Sequence, residues 1–460
     1  MCACSGRSTS EREPREHSED VLIDWSKVPD LAAIGLLASA FGSVARRCRS
    51  SVSGLWLTGW GMIALHFAAF TLVPTSVWAT DVLQTIGLAS LTWAGVLFMW
   101  ASIPYRKNQS SPRMLIALLV SNTVYIALIV VGLSVRWPLV VAALLFGILP
   151  MGVAISALPR FGHWLRWITV FLYLDLCIFL LAVQYRSSLG PELALNAVLF
   201  TVYLGCGIHF WYAYRRSTAG AFITIAGFFF WAAVFVVGPF LAIVFPHVQV
   251  DNEVWNLPKY VVAVGMILLL LEDQIDYAKY LALHDDLTGL PNRRLFQDRL
   301  AGALERCRRN GSKAALLLID LNDFKRVNDS AGHNVGDQLL RHVGQAFLGR
   351  VRRSDTVART GGDEFAVILE NPVSRETAVR VAGALMEALR APMRIEERQL
   401  QIGASIGVAV FPDDADNGEA MFVAADCDMY EQKRGSRKKE PGREAEAADG
   451  PVRDWSGTPA

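Results

Sequence analysis

Two acidic side chains stand together behind two glycines in Arg359-Thr360-Gly361-Gly362-Asp363-Glu364-Phe365. Carboxylates are hard oxygen ligands of the kind Mg²⁺ takes, and paired glycines permit positive φ while leaving no side chain where a nucleotide would approach. A further acid, Asp320, follows the apolar run Ala314 to Ile319, and beyond it the chain supplies Lys325, Asn328 and Asp337. Lysine is a point charge for phosphate, while Asn and Asp carry the donors and acceptors that a base edge requires. Near the C-terminus Lys433 and Arg437 stand one helical turn apart, where both can reach triphosphate oxygens. Carboxylates on a metal ion with cations around them are the apparatus of phosphoryl or nucleotidyl transfer. The plain alternative is a Gly-Gly hairpin whose acids are merely solvated.

These side chains need elements to hold them. Asp355 to Arg359 has β-branched character and Phe365 to Leu369 is a short apolar run bounded by polar residues, so the two are expected to form a hairpin. Pro291 and Asn292 open an amphipathic helix with Phe296, Leu300, Leu304 and Cys307 on one face, and Ala314 to Ile319 reads as a buried strand ending in Asp320. A second helix turns Leu339, Leu340, Val343 and Phe347 inward. A third is expected over 374–390, strands near 399–411 and a last helix over 418–434. This alternation describes an α+β domain over 284–439. If its first strand and the hairpin are neighbours in one sheet, Asp320 and Asp363 converge on one metal.

The rest of the chain has a different composition. Of the 460 residues 53% are hydrophobic, and the mean hydropathy is +0.32, above that of a soluble domain. The excess lies within 29–271, where spans are expected at roughly 30–45, 54–74, 82–103, 114–133, 137–158, 164–184, 193–214, 219–246 and 257–271. The first and last are short, so the count is nine, or eight if the first does not cross. Arg46, Arg47 and Arg49, then Arg106, Lys107 and Arg113, then Arg160 and Arg166, then Arg215 and Arg216 fall in alternate loops, against Arg136 and Arg186 in the others. The positive-inside rule makes the richer loops cytoplasmic and places everything after Leu271 there too. Nine spans put the N-terminus outside, eight put it inside. Trp56, Trp78, Trp137, Trp164, Trp167 and Trp255 lie near span ends, as an aromatic belt would.

Within the spans His66, Asp175 and His209 are ionisable, which is compatible with a ligand, ion or haem site and equally with histidines bonded to a neighbouring helix. A bundle with little loop outside it suits sensing of a lipophilic molecule, a redox carrier or the state of the membrane. Residues 272–283 are expected as a stiff linker helix. Leu271, Ile275, Ala278 and Ala282 recur at the spacing of a short parallel coiled coil, with a simple amphipathic connector as the alternative. Residues 1–28 and 440–460 have the composition of disordered tails. The seven cysteines show neither metal spacing nor a paired framework, and Cys177, Cys206 and Cys307 are expected to be reduced and structural. A net charge of +1 sums unlike halves and offers no argument for a nucleic-acid partner.

Over about 284–437 the sequence resembles the GGDEF family of diguanylate cyclases. The likeness is carried by His284-Asp285-Asp286-Leu287-Thr288-Gly289-Leu290-Pro291-Asn292-Arg293, Asp320-Leu321-Asn322-Asp323-Phe324-Lys325-Arg326-Val327-Asn328-Asp329, Gly332-His333-Asn334-Val335-Gly336-Asp337, the Gly361-to-Phe365 signature, Ser405-Ile406-Gly407-Val408-Ala409 and the run Asp426 to Arg437. The resemblance implies a palm-like sheet that binds one GTP with two Mg²⁺ (or Mn²⁺). Two such domains face each other in a homodimer, and the 3′-hydroxyl of each GTP attacks the α-phosphate of the other, giving cyclic di-GMP and two pyrophosphates. By position, Asp320, Asp363 and the Leu321 carbonyl look like metal ligands, and Glu364 like a further metal or catalytic carboxylate. Asn328 and Asp337 would read guanine. Phe324, Lys325, Gly361, Gly362, Lys433 and Arg437 would complete the substrate site.

Arg352-Arg353-Ser354-Asp355 resembles the family's RxxD site, at which product binds and inhibits; a solvated charge cluster is the alternative reading. Departures are Asn322, where the family often has a second Asp, and Gln432 with Gly435-Ser436 in the closing motif. The implied protein is a multi-pass enzyme of the bacterial cytoplasmic (inner) membrane with its cyclase domain in the cytoplasm. Rival readings are a catalytically silent GGDEF domain that reports on bound nucleotide, and a membrane transporter or receptor whose cytoplasmic domain senses GTP.

Overall fold

Long apolar runs fold as helices because each backbone N–H and C=O then finds its partner within the same segment. The computed structural model describes residues 22–437 apart from 48–50, 103–110, 133–135, 158–162, 186–189, 215–217, 248–249, 251, 371–373 and 396–397. Both predicted tails therefore fall largely outside the described residues, as do Arg49, Arg106, Lys107, Arg160, Arg186, Arg215 and Arg216 of the charge-bias argument. The chain divides into two units, Met1–Ile275 and Asp276–Ala460.

The first unit contains α1 (Val28–Arg47), α2 (Ser51–Thr71), α3 (Val77–Trp100), α4 (Ser111–Val130), α5 (Arg136–Ala157), α6 (His163–Tyr185), α7 (Pro191–Ala213), α8 (Ala219–Val244) and the start of α9 (Asn252–Leu283). A two-residue strand pair, β1 (Leu22–Ile23) and β2 (Leu72–Val73), ties the chain before α1 to the end of α2. Among the described residues eight of these helices are long and apolar enough to cross a membrane. The exception is α2, whose 21 residues include Trp56, Thr58, Trp60 and His66. Neither terminal helix is short, contrary to the sequence expectation: α1 has 20 residues and α9 has 32. At 1.5 Å per residue α9 is about 48 Å long, well beyond the ~30 Å of a bilayer core.

The aromatic belt needs one correction. Trp78, Trp137 and Trp167 are exposed near helix starts, but Trp56 is buried and stacks on Phe210 with ring centroids 5.6 Å apart. Of the ionisable candidates, His66 Nδ1 meets the Gly87 carbonyl of α3 at 2.9 Å and His209 Nδ1 meets Gly205 O of its own helix at 2.8 Å. Asp175 lies on the outer face of α6.

The second unit is a four-stranded antiparallel sheet in the order β4-β5-β3-β8, made of β3 (Ala314–Leu321), β4 (Thr356–Gly361), β5 (Glu364–Glu370) and β8 (Ala404–Phe411). Its helices are α10 (Arg293–Asn310), α11 (Phe324–Ala331), α12 (His333–Leu348), α13 (Arg375–Arg390) and α14 (Gly418–Arg437). The strands are apolar on both faces because both are covered. Ala315, Leu317, Ile319 and Leu321 pack with Leu339, Val343 and Phe347 of α12 and Leu385 of α13, whereas Ala314 and Leu316 pack with Phe296 and Leu300 of α10 and Phe422 of α14. The strands expected near 399–411 are two, in different sheets. The first, β7 (Arg398–Leu400), joins a separate hairpin with β6 (Met393–Ile395), and the second, β8, begins at Ala404.

One polar network is buried in the helical unit, and the sequence reading did not single it out. The Asp30 carboxylate on α1 accepts from Asn256 Nδ2 and from Tyr260 OH of α9, both at 2.6 Å, and Lys259 donates to Asn256 Oδ1 while its ammonium lies 4.7 Å from the Phe67 ring centroid. Asn256 is buried and Tyr260 half-buried, so Asp30→Ala takes the acceptor from two donors, one of them away from water. Thermal melting of the full chain in detergent should register a loss of about 2 kcal/mol. Asp30→Asn, which keeps an acceptor, should lose less. An unchanged melting temperature for Asp30→Ala would show the network to be idle.

Candidate functional site

The register of the central strands assembles the site. Across β3 and β5 Asp320 faces Glu364, and across β3 and β8 it faces Ser405. Directly opposed residues of antiparallel strands project to the same side, so Ser405, Asp320 and Glu364 form a polar row on the face that α10 and α14 cover. The row continues the line of Leu316 and Leu318 and begins where the apolar core ends. β3 and β5 are neighbours, and the main chain of the turn is drawn in as well: the Leu321 amide donates to the Asp363 carbonyl at 3.3 Å.

Between β4 and β5 the chain turns at Gly362 and Asp363. Gly362 has φ +44°, a conformation that favours glycine. Its neighbour Gly361 does not need that freedom; what it provides is open space, since an added Cβ there would have nothing within 4 Å. Of the two glycines that permit positive φ, Gly362 is the one that uses it. Arg359 grips the turn: its Nε and Nη2 donate to the Gly362 carbonyl at 2.9 and 2.7 Å, and its Nη1 reaches both oxygens of Asp285 at 3.0 and 3.1 Å. Burial alone would raise the Asp285 carboxyl, but bonds from the Thr288 hydroxyl and amide and from Arg359 outweigh it and hold the group below its ordinary value of 3.8.

A cation comes from the opposite end of the domain. Lys433 on α14 places Nζ 2.8 Å from Asp320 Oδ1. Arg437 closes the same helix, and its side chain lies outside the described residues. Asn322 is tied in beside them, because its amide donates to Gly403 O at 2.9 Å and its Oδ1 accepts from Ser405 Oγ at 2.9 Å.

Asn328 and Asp337 are brought close by a chain reversal between α11 and α12 at Gly332, whose φ is +88°. The Asn328 side chain then rests on Gly336, the residue before Asp337, so closely that a Cβ there would fall 1.9 Å from Asn328 Oδ1. Phe324 is buried at the head of α11, and Lys325 is exposed on its first turn. In the Arg352-to-Asp355 segment the Asp355 carboxylate accepts from the backbone amides of Arg352 at 2.9 Å and Glu370 at 3.2 Å, while the Arg352 and Arg353 side chains are exposed. The acid here shapes a turn, and the arginines point outward from it.

As a metal site the arrangement offers hard oxygens: the Asp320 and Asp363 carboxylates and the Leu321 carbonyl, all at one sheet rim. Among the described residues no three His, Cys, Asp or Glu side chains converge into a ligand set on their own. Mg²⁺ sites in proteins commonly use one or two carboxylates, with substrate phosphates and water in the remaining positions. The Lys433 ammonium on Asp320 already shows that this carboxylate attracts a cation.

Sequence reasoning quoted Asp285, Arg359, Gly336 and Ser405 within motifs but gave them no role. Arg359 and Asp285 are 74 residues apart, and complementary charge at that separation is no signal until the sheet brings the two segments together.

Residues 282–439 match the family described as "Diguanylate cyclase, GGDEF domain". The diguanylate cyclase TpbB of Pseudomonas aeruginosa is 39% identical over 172 residues, which cover 36% of this chain and 40% of TpbB. The bifunctional diguanylate cyclase/cyclic di-GMP phosphodiesterase MucR of the same organism is 41% identical over 153 residues, covering 33% of this chain and 22% of MucR. The chain thus spans less than half the length of the curated relatives it matches. Among solved structures, a sensory box/GGDEF family protein from Caulobacter crescentus is 39% identical, with a TM-score of 0.32, covering 33% of this chain and 99% of that one.

The Asp285–Arg359 clamp predicts a pH-dependent phenotype. A carboxyl whose pKa is lowered by folding stabilises above its unfolded value of 3.8, and that contribution is lost as pH falls through the lower folded value. Asp285→Asn should therefore cost the domain about 1 kcal/mol near neutral pH, with the gap from wild type closing below pH 3.8. Chemical denaturation at several pH values reads this. A gap that is the same at all pH values would show that the carboxylate's charge is not what the clamp uses.

Proposed function

Residues 282–439 belong to the GGDEF diguanylate cyclase domain family, and from that premise we propose that the chain is a membrane-held diguanylate cyclase that condenses two GTP into cyclic di-GMP and two pyrophosphates. The observation that carries the reading is the Lys433–Asp320 pair at 2.8 Å, beside a turn whose Asp363 carbonyl is bonded to the amide of Leu321. A cation able to bind phosphate lies on Asp320 of β3, next to the turn that carries Asp363, which supports transfer at a phosphorus centre.

In this reading Asp320, Asp363 and the Leu321 carbonyl hold Mg²⁺ or Mn²⁺, two ions per GTP, with Glu364 as a further carboxylate. The bound metal supplies charge neutralisation at the α-phosphate and lowers the pKa of the attacking 3′-hydroxyl. Gly361 leaves open space for the phosphates, and Lys433, Lys325 and Arg437 bind the triphosphate. Phe324 anchors α11 in the core, so that Asn328 of that helix and Asp337 of α12 present amide and carboxylate to the guanine edge. Each domain holds one GTP, so the reaction needs two copies face to face, and orientation supplies much of the rate. Along α9, Leu271, Ile275, Ala278 and Ala282 are exposed at coiled-coil spacing, which supports pairing with a second copy in a homodimer. The eight apolar helices support a multi-pass location in the cytoplasmic (inner) membrane of a bacterium, with the cyclase domain on the cytoplasmic side. Exposed Arg352, on a turn fixed by Asp355, supports an RxxD site at which cyclic di-GMP inhibits.

One experiment tests these assignments. The full chain in lipid nanodiscs receives GTP and Mg²⁺, and product is separated by chromatography. Wild type should form cyclic di-GMP, Asp363→Ala should fall at least about a hundredfold, and Arg352→Ala should keep its initial rate while losing inhibition by added product. No cyclic di-GMP from wild type under dimerising conditions would refute the cyclase reading. Unchanged inhibition of Arg352→Ala would refute the product site alone.

A further inference from the structure

β8 is an edge strand, and half of its backbone N–H groups point away from β3. Two of those amides are met by carboxylates. The Val410 amide donates to Asp414 Oδ2 at 2.7 Å, a partner four residues along the same chain. The Val408 amide instead donates to Asp428 Oδ2 at 2.8 Å, and Asp428 belongs to α14. Gln432, one turn further along that helix, adds a bond from Nε2 to the same oxygen at 3.3 Å.

The seat of α14 on the strand is otherwise a contact of backbone on backbone. A Cβ at Gly407 would lie 1.9 Å from Ala425 O and 2.6 Å from Met429 N, so the helix lies as near to β8 as its own main chain allows. Close approach fixes the distance of the helix from the strand but leaves it free to slide or roll. A directional bond from a side chain of the helix to one amide of the strand removes that freedom. Asp428 stands five residues before Lys433, about 7.5 Å along the axis. Val408 stands three residues after Ser405, about 10 Å along the strand, and Ser405 is the register partner of Asp320. Helix and strand therefore run from one pinned point, Asp428 on Val408, to one functional point, Lys433 on Asp320.

We infer that Asp428 is a positioning residue: through its bond to the Val408 amide it sets the slide and roll of α14 and so places the Lys433 ammonium at the triphosphate beside Asp320. The inference rests on the reading of Lys433 as a GTP ligand. It assigns Asp428 no contact with substrate. A displacement of about 1 Å at such a group is enough to impair a site strongly, which makes a fixed helix register consequential.

The test is a mutant cycle on the full chain in nanodiscs. Asp428→Ala should raise the KM for GTP about tenfold with kcat changed much less, because ground-state binding of the triphosphate is what suffers. Asp428→Asn keeps an oxygen for the Val408 amide and should stay within about twofold of wild type. On a Lys433→Ala background, Asp428→Ala should add no more than about twofold, since the residue through which it acts is gone. A wild-type KM in Asp428→Ala would overturn the inference, as would the same tenfold increment with Lys433 absent. If the alanine variant does not fold, Asp428→Glu serves: the extra methylene pushes the helix along the strand, and KM should rise in an otherwise stable protein. If wild type makes no cyclic di-GMP, the cyclase reading fails, while equilibrium GTP binding by the same variants still decides the role of Asp428.

Discussion

The pairing of β3 with β5 is the constraint on which the remainder depends. Its register sets Asp320 against Glu364 and draws the Asp363 carbonyl onto the Leu321 amide. Side chains alternate along a strand, so a slip of one residue would send Asp320 to the face of α12 and α13 and leave an apolar residue at the rim. That slip is strongly opposed, because Leu316 and Leu317 are each fully buried but in different cores, and exchanging their faces would unpack both. The polar rim is specified by the apolar strand beneath it.

From that pairing a line of contacts leads back toward α9. Arg359 joins the turn carbonyl of Gly362 to Asp285, and the loop that carries Asp285 is fastened to the end of α9. There the Asn292 amide donates to Leu283 O at 2.9 Å, Asn292 Nδ2 to Ala282 O at 2.9 Å, and the rings of Tyr280 and His284 stack 4.1 Å apart. One loop thus holds both the Gly362 turn and the end of α9, a helix of 32 residues. Its other end carries Asn256 and Tyr260, bonded to Asp30 of the first helix.

Much of this was legible in the sequence where local chemistry decides the outcome. The hairpin shows in a glycine pair between two apolar runs, and the strand before Asp320 in its unbroken run of Ala, Leu and Ile. What escaped depends on contacts between distant segments. Nothing in Trp56 itself distinguishes a belt tryptophan from one stacked on Phe210, and Asp30 looks like an ordinary first-turn acid until α9 lies beside it. That the strands near 399–411 belong to different sheets escaped because pairing partners lie outside the segment itself. Asp428 escaped for a similar reason: one more acid on an exposed helix has no signature until an edge amide is found against it.

The central claim is that Asp320, on β3, and Asp363, in the turn before the neighbouring strand, serve one divalent cation. It is tested most directly by electron paramagnetic resonance of Mn²⁺ titrated into the full chain with GTP, comparing wild type, Asp320→Asn, Asp363→Asn and the double variant. The account predicts that each single substitution weakens Mn²⁺ binding strongly and that the double is little worse than either. Wild-type Mn²⁺ affinity in either single variant, or fully additive losses in the double, would contradict it.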